Sequence, residues 1–334
     1  MQIIVATSAT KNARGKDLGE AFKVGWHGHR SGDNLQVVPY SYDFSEVSAS
    51  CEVGDLFANT TDPFQVGSQL PALLEKKCPI YLPACQTTGS LQSEYLPNSA
   101  LTPPAHRKLS DFPDLLISGI ARAYGEEQPS AQTWENLAHV LRNASVVCAS
   151  RKPLFSSSGV LSEIAKTDPE TAQKTKENWE KVLGKTEVFG ASRYLKLTNP
   201  TQGARNTRQK RRGHLSGGGA GWGVGELLAS LGARIDFVAD FLDAHTRLPQ
   251  FLASADLLVA NTAELSPWNL SGSPLEHLCH LSAPSGIPIV VVTSENNLSR
   301  GESAEMGIDG IYQFPADIAG MKQAGLRLAR TWSR

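Results

Sequence analysis

The two ends of the chain restrict its fold more than any other part. Gln2–Ala6 is a short unbroken apolar run, closed by the polar turn Thr7–Asn12. Asp17–Gly25 follows with Leu18, Ala21, Phe22 and Val24 at helical spacing, and Leu35–Pro39 is a second strand. Strand, helix, strand in that order opens a parallel α/β sheet, whose strands are buried on both faces and therefore lack alternation. The C-terminal third repeats the pattern. Strands at Asp256–Ala260 and Ile287–Thr293 flank a helix at Pro274–Leu281, and a last strand at Gly310–Phe314 leads into a helix over Ala316–Trp332. Ile318, Met321, Leu326 and Leu328 are expected to form the inward face of that closing helix. Two ends of one character imply a shared sheet, with the middle of the chain inserted as a second domain.

The middle has its own strands and helices. Leu70–Lys77 is helical, Pro79–Leu82 is a strand, and Gln86–Pro113 is a long irregular segment rich in Ser, Thr, Pro and Asn. Helices over Asp114–Tyr124 and Ala131–Leu141 precede a strand at Ser145–Ala149. Thr167 with Glu170 has the spacing of a capping box, for a helix reaching Leu183 and closed by Gly184. Ala172, Trp179, Val182 and Leu183 give that helix a buried stripe. Gly184-Lys185-Thr186 ends like a P-loop, but the glycine required earlier is Trp179, so no nucleotide motif is present there.

Gly213–Gly232 concentrates Gly213, Gly217, Gly218, Gly219, Gly221, Gly223 and Gly225 ahead of a helix whose Leu227, Leu228 and Leu231 share one face. Glycines leading into a helix N-terminus can crowd backbone N–H groups around an anion. Arg205–Arg212, just upstream, adds a dense run of positive charge. Gly217, Gly218 and Gly219, with Arg211 and Arg212, are therefore candidates for holding phosphate. The competing explanation is tight packing with no ligand. Neither G-x-x-x-x-G-K-[ST] nor G-x-G-x-x-G fits the spacing.

Composition narrows the function classes. A chain of 334 residues suffices for two cores, and a net charge of −1 gives no general attraction to nucleic acid or anionic membrane. A nucleic-acid role through Arg205–Arg212 has the least support of the readings considered. No apolar run approaches the roughly 20 residues needed to span a bilayer. The start of the chain lacks the features of a signal peptide. The five cysteines are scattered and never form C-x-x-C, which points to free thiols in a reducing, cytoplasmic setting. His277 and His280 flank Cys279 without a ligand pair nearby in sequence, which suits a partly exposed helix face better than a metal site.

Several strings resemble one family. SADLLVANTAELSPWN, GIPIVVVTSENN and AEMGIDGIYQF are similar to the C-terminal portion of type I bacterial glycerate kinases. VVCASRKPLFSSSG and the Gly-rich stretch with LLASLGAR resemble further segments of that family, and IIVATSATKN is similar to its N-terminus. The resemblance covers most of the chain from about residue 145 onward, and residues 1–40 and 67–90 more weakly. It implies a flavodoxin/Rossmann-like parallel domain from residues 1–62 and 226–334, holding a second α/β domain at 63–225. It also implies ATP- and Mg²⁺-dependent phosphorylation of glycerate or a related small hydroxy acid. The family's first-loop lysine is kept as Lys11, which would reach the transferred phosphate, while its acidic neighbour is Ser8. The glutamate, arginine and aspartate of its GEGRLDAQT segment fall on Thr262, Glu264 and Ser266. Phosphoryl transfer needs carboxylates for Mg²⁺ and for the substrate hydroxyl. Glu46 and Asp43 are the candidates, Asp43 as the Mg²⁺ ligand. With so many acids replaced, the alternative is an inactive relative that binds a nucleotide or acidic metabolite. Whether the chain pairs as a homodimer is left open.

Overall fold

The computed structural model describes residues 1–10, 13–42, 44, 47–48, 52–57, 60–85, 109–190, 213–266, 270 and 272–333. Lys11, Asp43, Glu46, Arg211 and Arg212 lie outside these residues, as do Arg205–Lys210 and most of the Gln86–Pro113 segment. The chain begins with β1 (Gln2–Thr7), α1 (Gly15–His27) and β2 (Asn34–Pro39). Ile3, Ile4 and Val5 are fully buried, as an unbroken apolar run between two helical layers should be. Leu18, Phe22 and Trp26 are the buried stripe of α1, whereas Val24 is exposed.

The second stretch runs β3 (Gly54–Asp55), α2 (Pro63–Glu75), β4 (Ile80–Leu82), α3 (Phe112–Ala123), α4 (Ala131–Leu141) and β5 (Ser145–Cys148). It continues through α5 (Val160–Ala165), α6 (Pro169–Gly190), α7 (Val224–Ser230) and β6 (Arg234–Phe237). The local chemistry explains several starts. Asp62 accepts from the Phe64 N–H ahead of Pro63, and Ser130 accepts from the Thr133 N–H. Helix α6 corrects the expectation at both ends. Asp168, not Thr167, accepts from the helix, at the Thr171 N–H, and the helix continues through Gly184 to Gly190. A mid-helix glycine costs about 1 kcal/mol, less than burying Trp179, Val182 and Leu183 against the core contributes.

The chain then returns as α8 (Val238–Thr246), α9 (Leu248–Leu252), β7 (Leu257–Leu265), α10 (Pro274–Ser282) and β8 (Ile289–Asn296). It closes with α11 (Arg300–Glu305), β9 (Ile308–Gln313) and α12 (Ile318–Trp332). Ser299 and Glu302 form a reciprocal capping box at α11. Ile318 is exposed rather than inward, because α12 starts there behind the Asp317 cap. Its buried stripe begins a turn later, at Met321, Ala324 and Leu328.

Two parallel sheets result, one of order β2-β1-β7-β8-β9 and one of order β3-β4-β5-β6. The first is the flavodoxin-like order, made by both ends of the chain as expected. Met1–Cys51 and Ala239–Arg334 belong to one compact unit, Glu52–Gln92 and Ser99–Val238 to the other. The divisions therefore fall before residue 62 and after residue 226. The reason is pairing: β3 hydrogen-bonds β4 and β6 hydrogen-bonds β5, so both flanking strands belong to the inserted sheet. Among the described residues, no helix is long and apolar enough to cross a membrane.

Each unit contains a helix pair that meets glycine to backbone. A methyl group on Gly25 of α1 would collide with the Lys322 carbonyl, and one on Gly325 of α12 with that of Phe22. In the other unit, Gly67 of α2 abuts the Leu116 carbonyl and Gly119 of α3 abuts that of Phe64. Backbone cannot step aside as a flexible side chain can. Gly25→Ala is therefore expected to cost about 2–3 kcal/mol by overpacking. Gly301→Ala, on the open face of α11, should be neutral or slightly stabilising. Urea unfolding of both variants checks this contrast, and equal midpoints would contradict it.

Candidate functional site

In an open parallel sheet, neighbouring loops diverge where the strand order reverses, and a crevice opens at the carboxyl ends of the strands. The first sheet reverses between β1 and β7. The second sheet runs in sequence without a reversal. A cavity of about 50 Å³ lies at the first sheet's reversal, lined by Ser8, Asn261, Thr262, Glu264, Ser273 and Leu275 among others. That volume accommodates a few water-sized groups.

The walls are fixed by hydrogen bonds. Ser8 follows β1, and its N–H donates to Asn261 Oδ1 at 2.8 Å while Asn261 Nδ2 donates to the Ser8 carbonyl at 3.1 Å. The two contacts together set the orientation of the Asn261 amide. Ser8 Oγ donates to the Tyr40 carbonyl at 2.7 Å, and the Tyr40 N–H donates to the Thr7 carbonyl at 2.8 Å. Thr262 Oγ1 donates to the Glu264 carbonyl at 2.9 Å. Glu264 itself is only 9% exposed, and its position in β7 pairs with Glu295 in β8.

A polar network stands behind Ser8. The fully buried Tyr40 donates its hydroxyl to Asp243 Oδ1 at 2.9 Å, and Asp243 Oδ2 meets His277 Nε2 at 2.7 Å. Burial first, and then the Asp243 carboxylate, push the Tyr40 phenol far above its usual range, so it remains a donor. The network holds α8 and α10 to the end of β2, and thereby fixes the Tyr40 carbonyl that orients Ser8.

Of the residues singled out from the sequence, Ser8, Thr262 and Glu264 come together at this cavity. Ser266 is fully buried just beyond β7. Sequence alone does not point to Asn261, Tyr40 or Asp243, and it places His277 only on a partly exposed helix face, as found, without its link to Asp243. The expected strand stopped at Ala260 because Asn261–Glu264 is polar, whereas β7 runs on to Leu265.

Gly217, Gly218 and Gly219 depart from the phosphate-cradle expectation. Their N–H groups donate to the carbonyls of Arg151, Leu215 and Lys152, at 3.0, 2.9 and 3.0 Å. Amides engaged this way are not turned toward an anion. The glycines serve close packing instead: a Cβ on Gly219 would lie 2.6 Å from Val160 Cγ2, and one on Gly225 2.5 Å from the Gly217 carbonyl. Gly221, Trp222 and Gly223 are consecutive left-handed residues, with φ of 58°, 60° and 104°. Trp222 adopts that conformation at a cost of about 1–2 kcal/mol. Its N–H donates to Cys85 Sγ at 2.9 Å, and burial pushes the Cys85 thiol far up.

Glu226, also missed from sequence, fastens this loop. Its Oε1 accepts from the Gly213 N–H at 2.8 Å, and its own N–H donates to the Gly218 carbonyl at 3.0 Å. Burial raises the carboxyl from 4.5 to about 7, against the pull of backbone hydrogen bonds from Gly213 and Leu215. A raised folded value means that the proton is held more tightly in the native state. The stability this confers is full below about pH 4.5 and is lost as the pH rises through about 7, on the order of 3 kcal/mol. Glu226→Gln should keep the Gly213 contact and flatten the stability profile between pH 5 and 8 in urea titrations. A variant profile parallel to that of the natural chain would contradict this assignment.

Among the described residues, no group of three or more His, Cys, Asp and Glu side chains is gathered to hold a metal. Mg²⁺ bound with a nucleotide needs only one or two protein carboxylates, the phosphates supplying further oxygens. Glu264 is one carboxylate at the cavity that fits such a demand.

Comparisons with known proteins bear on the fold. No protein-family profile matches the chain. The uncharacterized proteins Mb2228c of Mycobacterium bovis and MT2261 of Mycobacterium tuberculosis are 27% identical to it over 110 residues, or 33% of this chain. The chain covers 29% of the length of those relatives. A crystal structure of "putative glycerate kinase 2" from Salmonella typhimurium LT2 superposes with a TM-score of 0.59 at 13% identity. The match covers 99% of this chain and 98% of that one, so the two share a fold.

Proposed function

We propose that the chain is a divergent phosphotransferase of the type I glycerate kinase kind, moving the γ-phosphoryl group of ATP to glycerate or a related small hydroxy acid. The observation that carries this reading is the likeness of the whole chain, both units included, to the structure named "putative glycerate kinase 2". The cavity at the reversal of the first sheet is the acceptor site in this reading. The substrate hydroxyl oxygen bonds to phosphorus, the bond to the ADP oxygen breaks, and a carboxylate takes the hydroxyl proton. Glu264 is the carboxylate at the cavity, and Glu46 and Asp43 are further candidates for the base and for Mg²⁺. Lys11 supplies positive charge for the transferred phosphate in this reading. The free cysteines Cys78, Cys85, Cys148 and Cys279 suit a reducing cytoplasm.

The engaged amides of Gly217, Gly218 and Gly219 favour a second reading, a protein that binds a small acid or nucleotide without turnover. ADP release from Mg-ATP separates the two. The first predicts release stimulated by D-glycerate and reduced about 100-fold or more in Lys11→Ala, the usual cost of removing one charge-stabilising group. No release with or without glycerate, alongside a glycerate-dependent rise in Tm, would contradict the kinase and support the second.

A further inference from the structure

The cavity has two walls made by different elements. Ser8, Thr262 and Glu264 stand at the exits of β1 and β7, while Ser273, Pro274 and Leu275 are the cap and first two residues of α10. A polar chain outside the cavity joins the second wall to the first. His277 stands one turn into α10, its N–H donating to the Ser273 carbonyl at 3.3 Å. Its Nε2 meets Asp243 Oδ2 at 2.7 Å, and this nitrogen carries the proton, because a carboxylate offers only acceptors. Asp243 Oδ1 takes the Tyr40 hydroxyl at 2.9 Å, and the Tyr40 carbonyl takes Ser8 Oγ at 2.7 Å.

Each link in that chain is stiff. Tyr40 is fully buried, and the His277 and Asp243 side chains are only 20% and 16% exposed, so water competes poorly for their hydrogen bonds. The imidazole lies parallel to the Tyr40 ring, with 5° between the planes and 6.2 Å between the centroids. An aromatic ring packed in a dense interior has little room to turn. A shift of α10 must therefore break one of these bonds or carry Tyr40, and with it the acceptor of the Ser8 hydroxyl. None of Tyr40, Asp243 and His277 is among the described residues lining the cavity.

We propose that His277 is a positioning residue: through Asp243 and Tyr40 it couples α10 to Ser8 across the cavity, and so governs how firmly a small hydroxy acid is held there. The inference rests on the reading of the cavity as the acceptor site, and it names residues away from the ligand on which that site depends. His277 acts only through where Ser8 and the start of α10 stand. Its bond to Asp243 fixes one wall relative to the other, as the Asn261 amide fixes Ser8 to β7 within the first wall.

The test reads each wall after a change on the other, by amide NMR of the full chain, first without ligand. His277→Leu removes the donor on α10, and the Ser8 amide on the far wall should shift. Tyr40→Phe removes a hydroxyl beside β2, and the Leu275 amide on α10 should shift. His277→Gln lacks the imidazole ring but keeps an N–H donor for Asp243, so it controls for lost stacking and should return the Ser8 signal toward its natural place. Titration with D-glycerate should then show binding weakened about 2- to 30-fold in His277→Leu and Tyr40→Phe, with His277→Gln within about twofold of the natural chain. If the natural chain does not bind glycerate, the acceptor-site reading falls, and the ligand-free spectra alone decide the coupling. Tyr40→Phe, smaller by one oxygen, decides it if His277→Leu does not fold. The proposal is overturned if the shifts from each substitution stay on its own wall, or if His277→Gln behaves like His277→Leu. It is equally overturned if glycerate binds the natural chain and both disrupted variants alike.

Discussion

The Asn261 side chain grips the Ser8 peptide from both sides, its Oδ1 taking the N–H and its Nδ2 holding the carbonyl, one step beyond the last ladder pair of β1 and β7 at Ala6 and Ala260. Parallel strands at a reversal of order send their following loops to opposite sides of the sheet, so nothing in the ladder itself holds the two exits together. The amide does, and it replaces the main-chain pairing that ends there. Ser8 is thereby held against β7 while its hydroxyl reaches across to Tyr40, so three neighbouring strands, β2, β1 and β7, converge on one peptide. The polar end of β7 then has a structural reason: Asn261 and Thr262 both satisfy backbone groups that divergence of the strands would leave unpaired.

Behind that peptide, Tyr40, Asp243 and His277 form a second tie, from the sheet to two helices. Such a network is favourable only when every member is satisfied, and both Asp243 oxygens have partners here. The inserted unit uses a different device. Its Gly-rich stretch, the segment of the sequence most suggestive of ligand binding, is a packed junction of carbonyl-bonded amides fastened by Glu226. The glycines are needed because neighbouring backbone and side chains leave no room for a Cβ, which is also why Gly25, Gly325, Gly67 and Gly119 stand at helix contacts.

Much of this architecture was legible in the sequence. The continuous apolar runs at Gln2–Ala6 and Ile287–Thr293 announce doubly buried strands, and the matching ends announce a shared sheet. Ser8 was identifiable as a neighbour of Thr262 and Glu264 only through resemblance, since it lies about 250 residues before them. What stayed hidden has physical causes. Asn261 looks like the start of a turn because its bonding partner is distant in sequence. Glu226 looks like a surface acid on a helix, and only the fold of the loop above it encloses the carboxylate. Helix α6 passes Gly184 because its flanking residues are buried, a tertiary effect that outweighs local propensity. Glycine runs are ambiguous in principle, as absent side chains serve an approaching phosphate and an approaching backbone equally well.

The central claim is that ligand recognition resides at the reversal of the first sheet and not at the glycine-rich junction of the second. A crystal structure of the full chain soaked with D-glycerate addresses it most directly. The account predicts density for the ligand against Ser8, Thr262 and Glu264, with the Gly217–Gly219 amides still bonded to Arg151, Leu215 and Lys152. Ligand density seated on the Gly217–Gly219 amides, with those carbonyl bonds broken and the first cavity vacant, would contradict it.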